Sequence, residues 1–241
     1  VPSSDELAPY LQATWFVDSD APIVREYAEQ AVAGAGDDVE RAVKLFYAVR
    51  DDIRYTAYGL RFGPENFRAS SVLEDRFGWC VTKSCLLAAV SRAAGIPCRL
   101  GFATVRNHLA TKKLLEWMTT DLFYYHGYNE FYLEGRWVKA TVAFNKSLCE
   151  KARLQSLEWN GRDDSLYHPF DLSGQRHMEY LHDYGPYADL PYEEILRKFR
   201  EVYPRMKESI DAGAQWSGDG EKENFEAEIA AEAAQRDGES S

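Results

Sequence analysis

The periodicity of this sequence changes from helical to extended at Gly95-Ile96-Pro97, and that change constrains the fold more than any other feature. Before it, apolar residues recur at three- and four-residue spacing. After it come runs rich in β-branched and aromatic residues, the pattern of extended chain. A helix is expected over 21–33, preceded by the capping residues Asp18, Ser19 and Asp20, with Pro22 in its first turn and Gly34 as its stop. A second is expected over 37–52, where Val39, Ala42, Val43, Leu45, Phe46 and Val49 form one apolar face. Ser70 and Ser71 open a short third helix that Gly78 closes, and 81–94, with Leu86, Leu87, Val90 and Ala93 on one side, reads as a strongly apolar fourth. Extended segments follow over 98–105, 122–133 and 136–144. Leu133-Glu134-Gly135-Arg136 supplies the glycine that a hairpin between the last two requires. Residues 149–192 have no clear period, and a final helix is expected from Pro191 to Glu208. Helices first and an antiparallel sheet second make an α+β fold.

The chain has 241 residues, 45% of them apolar and 28% charged, enough for one large domain with a buried core. No run approaches the 18 apolar residues of a membrane span, and the first residues lack the basic and apolar regions of a secretory leader. The reading is therefore a cytoplasmic protein with free thiols and no membrane association. The formal net charge of −11 repels phosphates and anionic lipid, which argues against nucleic acid as a partner. That charge is uneven. Residues 217–241 hold eight acidic side chains against Lys222 and Arg236, with only Phe225 and Ile229 as large apolar groups. Such a segment buries too little to offset its ordering entropy. The expected division is a domain over 1–216, with an extension after its core, and a disordered acidic tail or loosely held acidic helix over 217–241.

Two residues stand out for chemistry. Cys80 falls between Gly78 and the fourth helix, where free N–H groups and the helix dipole favour a thiolate; the structural alternative is a buried cysteine at the helix start. None of Cys80, Cys85, Cys98 and Cys149 pairs at the two-residue spacing of a zinc knuckle or redox motif, and Cys85, beside Leu86 and Leu87, reads as core. A thiol nucleophile needs a base. His126 lies on the aromatic strand Phe123-Tyr124-Tyr125-His126-Gly127-Tyr128, which can face the Cys80 helix; a hydrogen-bonded core histidine is the alternative. Asp163, Asp164, His168, Asp171, His177 and His182 cluster late in the chain, but their spacing fits no ligand motif. Neither a metal nor a cofactor is expected. Arg106-Asn107-His108, after a strand end, reads as a satisfied turn rather than a substrate contact.

Over roughly 42–145 these pieces resemble the transglutaminase-like superfamily of papain-related cysteine enzymes. The similar segments, in order, are Val49-Arg50-Asp51-Asp52-Ile53-Arg54-Tyr55, Gly78-Trp79-Cys80, Arg92-Ala93-Ala94-Gly95-Ile96-Pro97-Cys98-Arg99, His126-Gly127-Tyr128-Asn129-Glu130 and Trp137-Val138. The resemblance implies a Cys80 nucleophile and a His126 base acting through a thioester on an amide-containing peptide or small molecule, with water or an amine as acceptor. The sequence departs from the family at the usual third catalytic position, an aspartate four residues after the tryptophan, which is Thr141 here. A threonine hydroxyl accepts a hydrogen bond but brings no charge. Thr141, Asn145 or neither is left to orient His126. Water is the favoured acceptor. The competing reading is a catalytically silent domain that keeps the fold to bind a protein partner.

Overall fold

A computed structural model describes residues 2–107, 110–166, 178–212, 215–216 and 225–239. Its centre is α4 (Cys80–Ala93), in which every residue from Cys80 to Arg92 is buried, so the helix is enclosed on all sides rather than along one stripe. Three helices pack on it: α1 (Pro22–Ala31), α2 (Asp38–Asp52) and α3 (Ala69–Asp75). Asp37 caps α2 by accepting the Glu40 N–H at 2.8 Å. The expected caps of α1 act elsewhere. Ala21 holds its N-cap position, while buried Asp18 accepts the Ser70 N–H at 3.0 Å and Ser70 Oγ–H at 2.6 Å at the start of α3. Arg76, at φ 58, ends α3 before Gly78 is reached.

The buried polar groups of α4 join it to its surroundings. Lys83 Nζ donates to the carbonyls of Arg50 at 2.9 Å and Ile53 at 2.6 Å, satisfying the C-terminal end of α2. Arg92 donates to the carbonyls of Gln12, Cys98 and Ala188, joining three distant stretches of chain.

The other face of α4 meets an antiparallel sheet of β1 (Cys98–Asn107), β2 (Leu122–Leu133), β3 (Arg136–Ala140) and β4 (Met178–Tyr187), in spatial order β3-β2-β1-β4. The β2–β3 turn has positive φ at both central residues, 48° at Glu134 and 82° at Gly135, the geometry of a tight two-residue hairpin. The α+β reading holds, with four local differences. Strand β3 stops at Ala140. Helix α5 (Lys112–Met118), capped by Thr111, and α6 (Lys146–Ala152) occupy stretches without a strong helical signal. The last expected helix is two, α7 (Tyr192–Val202) and α8 (Pro204–Asp211), because Pro204 starts a new helix more readily than it continues one. Strand β4 lies in the stretch without period: it is an edge strand, half exposed, with Pro186 and two register shifts that break alternation.

Of the two expectations for 217–241, disordered tail or acidic helix, the described part of the segment takes the second. Residues Phe225–Glu239 form helix α9, with Phe225, Ile229 and Ala233 buried, one helical turn apart. Its acidic residues hold it: Glu226 pairs with Lys151 at 2.5 Å, Glu228 accepts Tyr58 Oη–H at 2.9 Å, and Glu232 accepts the Lys112 N–H at 2.9 Å. Three apolar groups on one stripe, with carboxylates placed to meet partners, overcome the low average apolarity. Among the described residues no helix is long and apolar enough to cross a membrane.

Candidate active site

The start of α4 is shaped by small-residue packing and one side-chain clasp. A Cβ at Gly78 would come within 2.7 Å of Thr82 Oγ1, so a larger residue would displace the helix start. Trp79 takes the extended N-cap conformation, and its N–H donates to Thr82 Oγ1 at 3.1 Å. Cys80 is thereby the first residue of the helix, beside N–H groups that have no partner within the helix.

His126 reaches this place through an irregularity in β2. The β1–β2 register shifts between Ala103 and Val105, so that Tyr124 and Tyr125 bulge out just before His126. Tyr125 sits at φ 56, a conformation rare for a bulky residue, and its ring stacks on Tyr184 with centroids 4.2 Å apart. Bulges of this kind re-aim a neighbouring side chain, and local strain of this order, about 1–3 kcal/mol, persists where packing over-determines it. After His126 the strand presses on the helix start: a Cβ on Gly127 would lie 2.7 Å from the Cys80 carbonyl oxygen and 2.8 Å from Ser84 Oγ. Two residues on, Asn129 Nδ2 donates to the Ser84 carbonyl at 2.9 Å. Strand and helix therefore meet backbone to backbone.

Cys80 and His126 line one cavity, with about 60 Å³ open to the centres of water molecules. Cys80 keeps 8% of its surface exposed, while Cys85, Cys98 and Cys149 are each at 0%. Burial pushes the Cys80 thiol up to about 11, although backbone N–H groups of Gly127, Val81 and Cys80 itself hydrogen-bond the sulfur and oppose the shift. Burial thus works against the thiolate that the helix start favours. A helix terminus supplies typically about 0.3–1 kcal/mol, whereas burial of an ionisable group shifts its pKa by up to roughly 3–5 units. The sulfur rests as a thiol surrounded by N–H groups, and a base is needed to deprotonate it.

Neither expected orienter meets the imidazole through a hydrogen bond seen here. Thr141 is buried, its N–H donates to the Ser165 carbonyl at 2.9 Å, and its hydroxyl has no hydrogen-bond partner among the described residues. Asn145 accepts the Tyr55 N–H at 2.9 Å and donates to Ser147 Oγ at 2.7 Å, clamping the chain after α2 to α6. In the late acidic and histidine cluster, Asp163 accepts from Asn160 Nδ2, Asp164 accepts the Lys139 N–H, and His182 packs edge-on to Tyr184. His108, His168, Asp171 and His177 lie outside the described residues. Among the described residues no group of three potential ligands could hold a metal ion.

Sequence reasoning missed the far wall of the cavity. Tyr203 and Met206 at the α7–α8 junction and Phe225 and Ile229 on α9 complete it. The only available signal was the spacing of Phe225, Ile229 and Ala233, four residues apart in an otherwise acidic stretch. Tyr55 also lines the cavity, and burial, followed by the charge of the nearby Cys80 sulfur, pushes its hydroxyl well above the usual range.

Residues 25–142 match the family model described as the transglutaminase-like superfamily. No curated protein sequence matches the chain. Among solved structures, a Cytophaga hutchinsonii protein provisionally assigned as a cysteine protease is 18% identical, with a TM-score of 0.45 over 58% of this chain and 43% of its own. A Parabacteroides distasonis protein provisionally assigned as a protease is 15% identical, with a TM-score of 0.35 over 55% of this chain and 24% of its own. The chain spans less than half the length of either.

Proposed function

From the premise that residues 25–142 are a transglutaminase-like domain, we propose that this protein is a cysteine-dependent hydrolase or acyltransferase acting on an amide through a thioester on Cys80. One observation carries the reading: the least buried of four cysteines opens a buried helix and shares a cavity with a histidine. In the proposed reaction Cys80 Sγ attacks the amide carbonyl carbon while its proton passes to His126. The amine leaves with that proton, and the acyl group stays on sulfur. Water then attacks the thioester, its proton passing to His126 and from there to the departing sulfur, which frees a carboxylic acid. An amine in place of water gives a new amide. The N–H groups of Cys80, Val81 and Gly127 around the sulfur support this reading, because donors already in place for negative charge stabilise it without reorganisation. The dyad needs no third member to balance.

Incubation with a simple acyl p-nitroanilide, followed by intact-mass measurement, tests the proposal. The expected result is one acyl adduct on Cys80, absent from Cys80→Ser and longer-lived as the pH is lowered. Turnover by Cys80→Ser, or no adduct and no released amine from any acyl donor, contradicts it and favours the silent binding domain.

A further inference from the structure

Among the described residues, the lining of the cavity beside Cys80 includes no Asp, Glu, Lys or Arg, although charged residues are 28% of the chain. Its walls are mainly aromatic, aliphatic and thioether side chains, with Asn107 and His126 among them, and two of its hydroxyls are engaged within the walls. Tyr203 Oη donates to the Leu122 carbonyl at 3.0 Å and accepts the Tyr124 N–H at 2.9 Å. Thr111 Oγ1 accepts the Leu114 N–H at 3.2 Å and bonds Tyr58 Oη at 3.2 Å. What faces the space beside the sulfur is therefore mostly carbon. Three methionines, Met118, Met178 and Met206, line it, and flexible thioethers adapt to chains of differing shape.

Resting on the thioester reading, we infer that the acyl part of the substrate is a neutral, apolar chain, which fills this cavity while its carbonyl carbon lies at Cys80. A charged or strongly polar acyl group would lose its hydration there and find no partner. At about 10–15 Å³ of centre volume per water, 60 Å³ holds about four to six waters, or a chain of about as many carbons. Ile229 on α9 forms part of the wall, so the C-terminal helix takes part in setting chain length.

Two measurements separate this inference from the reaction beneath it. In the first, p-nitrophenyl esters of acetyl, butyryl, hexanoyl and succinyl groups acylate the full-length protein, with the rate read from the first turnover. Efficiency should rise about fourfold per methylene, the gain from burying each one, and succinyl should be at least tenfold slower than butyryl. Ile229→Phe, which fills part of the space, should lower the hexanoyl-to-acetyl ratio. A flat series, or succinyl as fast as butyryl, overturns the inference while leaving the nucleophile intact. In the second, calorimetry follows the binding of butanamide and hexanamide to Cys80→Ser, where no chemistry occurs. Tighter binding of the longer amide supports the apolar cavity even if no ester acylates Cys80, an outcome that would count against the reaction alone. Equal or absent binding of both overturns it.

Discussion

The two sides of the Cys80 cavity are built by different means. On the sheet side, β2 meets the start of α4 through backbone: Gly127 has no room for a methyl group, and Asn129 ties the strand to the Ser84 carbonyl. On the C-terminal side, α8 and α9 meet the cavity through large side-chain-bearing residues, Met206, Phe225 and Ile229. Backbone contacts leave little freedom, so the cysteine and histidine are held in one relation. Side-chain walls tolerate substitution at modest cost and can change what fits without moving the reacting atoms. In the proposed enzyme, reactivity and specificity thus belong to separate parts of the chain.

The largest effect should come from the backbone side. Gly127→Ala places a Cβ 2.7 Å from the Cys80 carbonyl and pushes β2, with His126, off the helix. Overpacking of this kind costs about 1–3 kcal/mol, and a misplacement of about 1 Å at the reacting groups costs roughly a hundredfold in rate. Acylation of Cys80 should fall about that much for every acyl chain alike. A change in chain preference without loss of rate would erase the distinction between the two walls.

Removing residues 217–241 probes the other side. Loss of the buried Phe225 and Ile229, worth at most about 3–6 kcal/mol together, should lower the Tm. The preference for longer acyl chains should shrink with it. An unchanged Tm would mean that the helix does not hold to the body in solution.

The smallest effect tests the third position. Thr141 carries a buried hydroxyl without a hydrogen-bond partner among the described residues, and a buried unsatisfied group costs about 1–3 kcal/mol. Thr141→Val keeps the shape and should raise Tm by about 2–4 °C, with turnover within about twofold. A tenfold loss of turnover at unchanged stability would show that the hydroxyl meets His126 during the reaction.

How much the sequence disclosed follows the same division. The start of α4 at Gly78-Trp79-Cys80 and the β2–β3 hairpin at Glu134-Gly135 were legible because a few adjacent residues determine each. The left-handed bulge at Tyr125 was not: tyrosine does not favour that conformation, and stacking on Tyr184, distant in sequence, holds it there. Strand β4 was hidden by its polar edge and register shifts. The docking of α9 was hidden because an average over an acidic segment conceals three apolar residues four apart. The raised thiol of Cys80 was missed for a related reason, since chain position reveals the helix dipole but not the depth of burial that outweighs it.

That thiol gives the most direct test of the dyad. With the Cys80 pKa at about 11, only about one molecule in ten thousand carries a thiolate at pH 7, and that fraction rises tenfold per pH unit until the pKa is approached. First-turnover acylation of Cys80 by p-nitrophenyl butyrate should therefore be measured from pH 6 to 10 in the wild type and in His126→Ala. If His126 removes the proton, the wild-type rate should level off near neutrality. The variant should be slower at pH 7 by about 10²–10⁴-fold and climb about tenfold per unit toward pH 10, narrowing the gap. Superimposable profiles in the two proteins would contradict the assignment of His126 as the base.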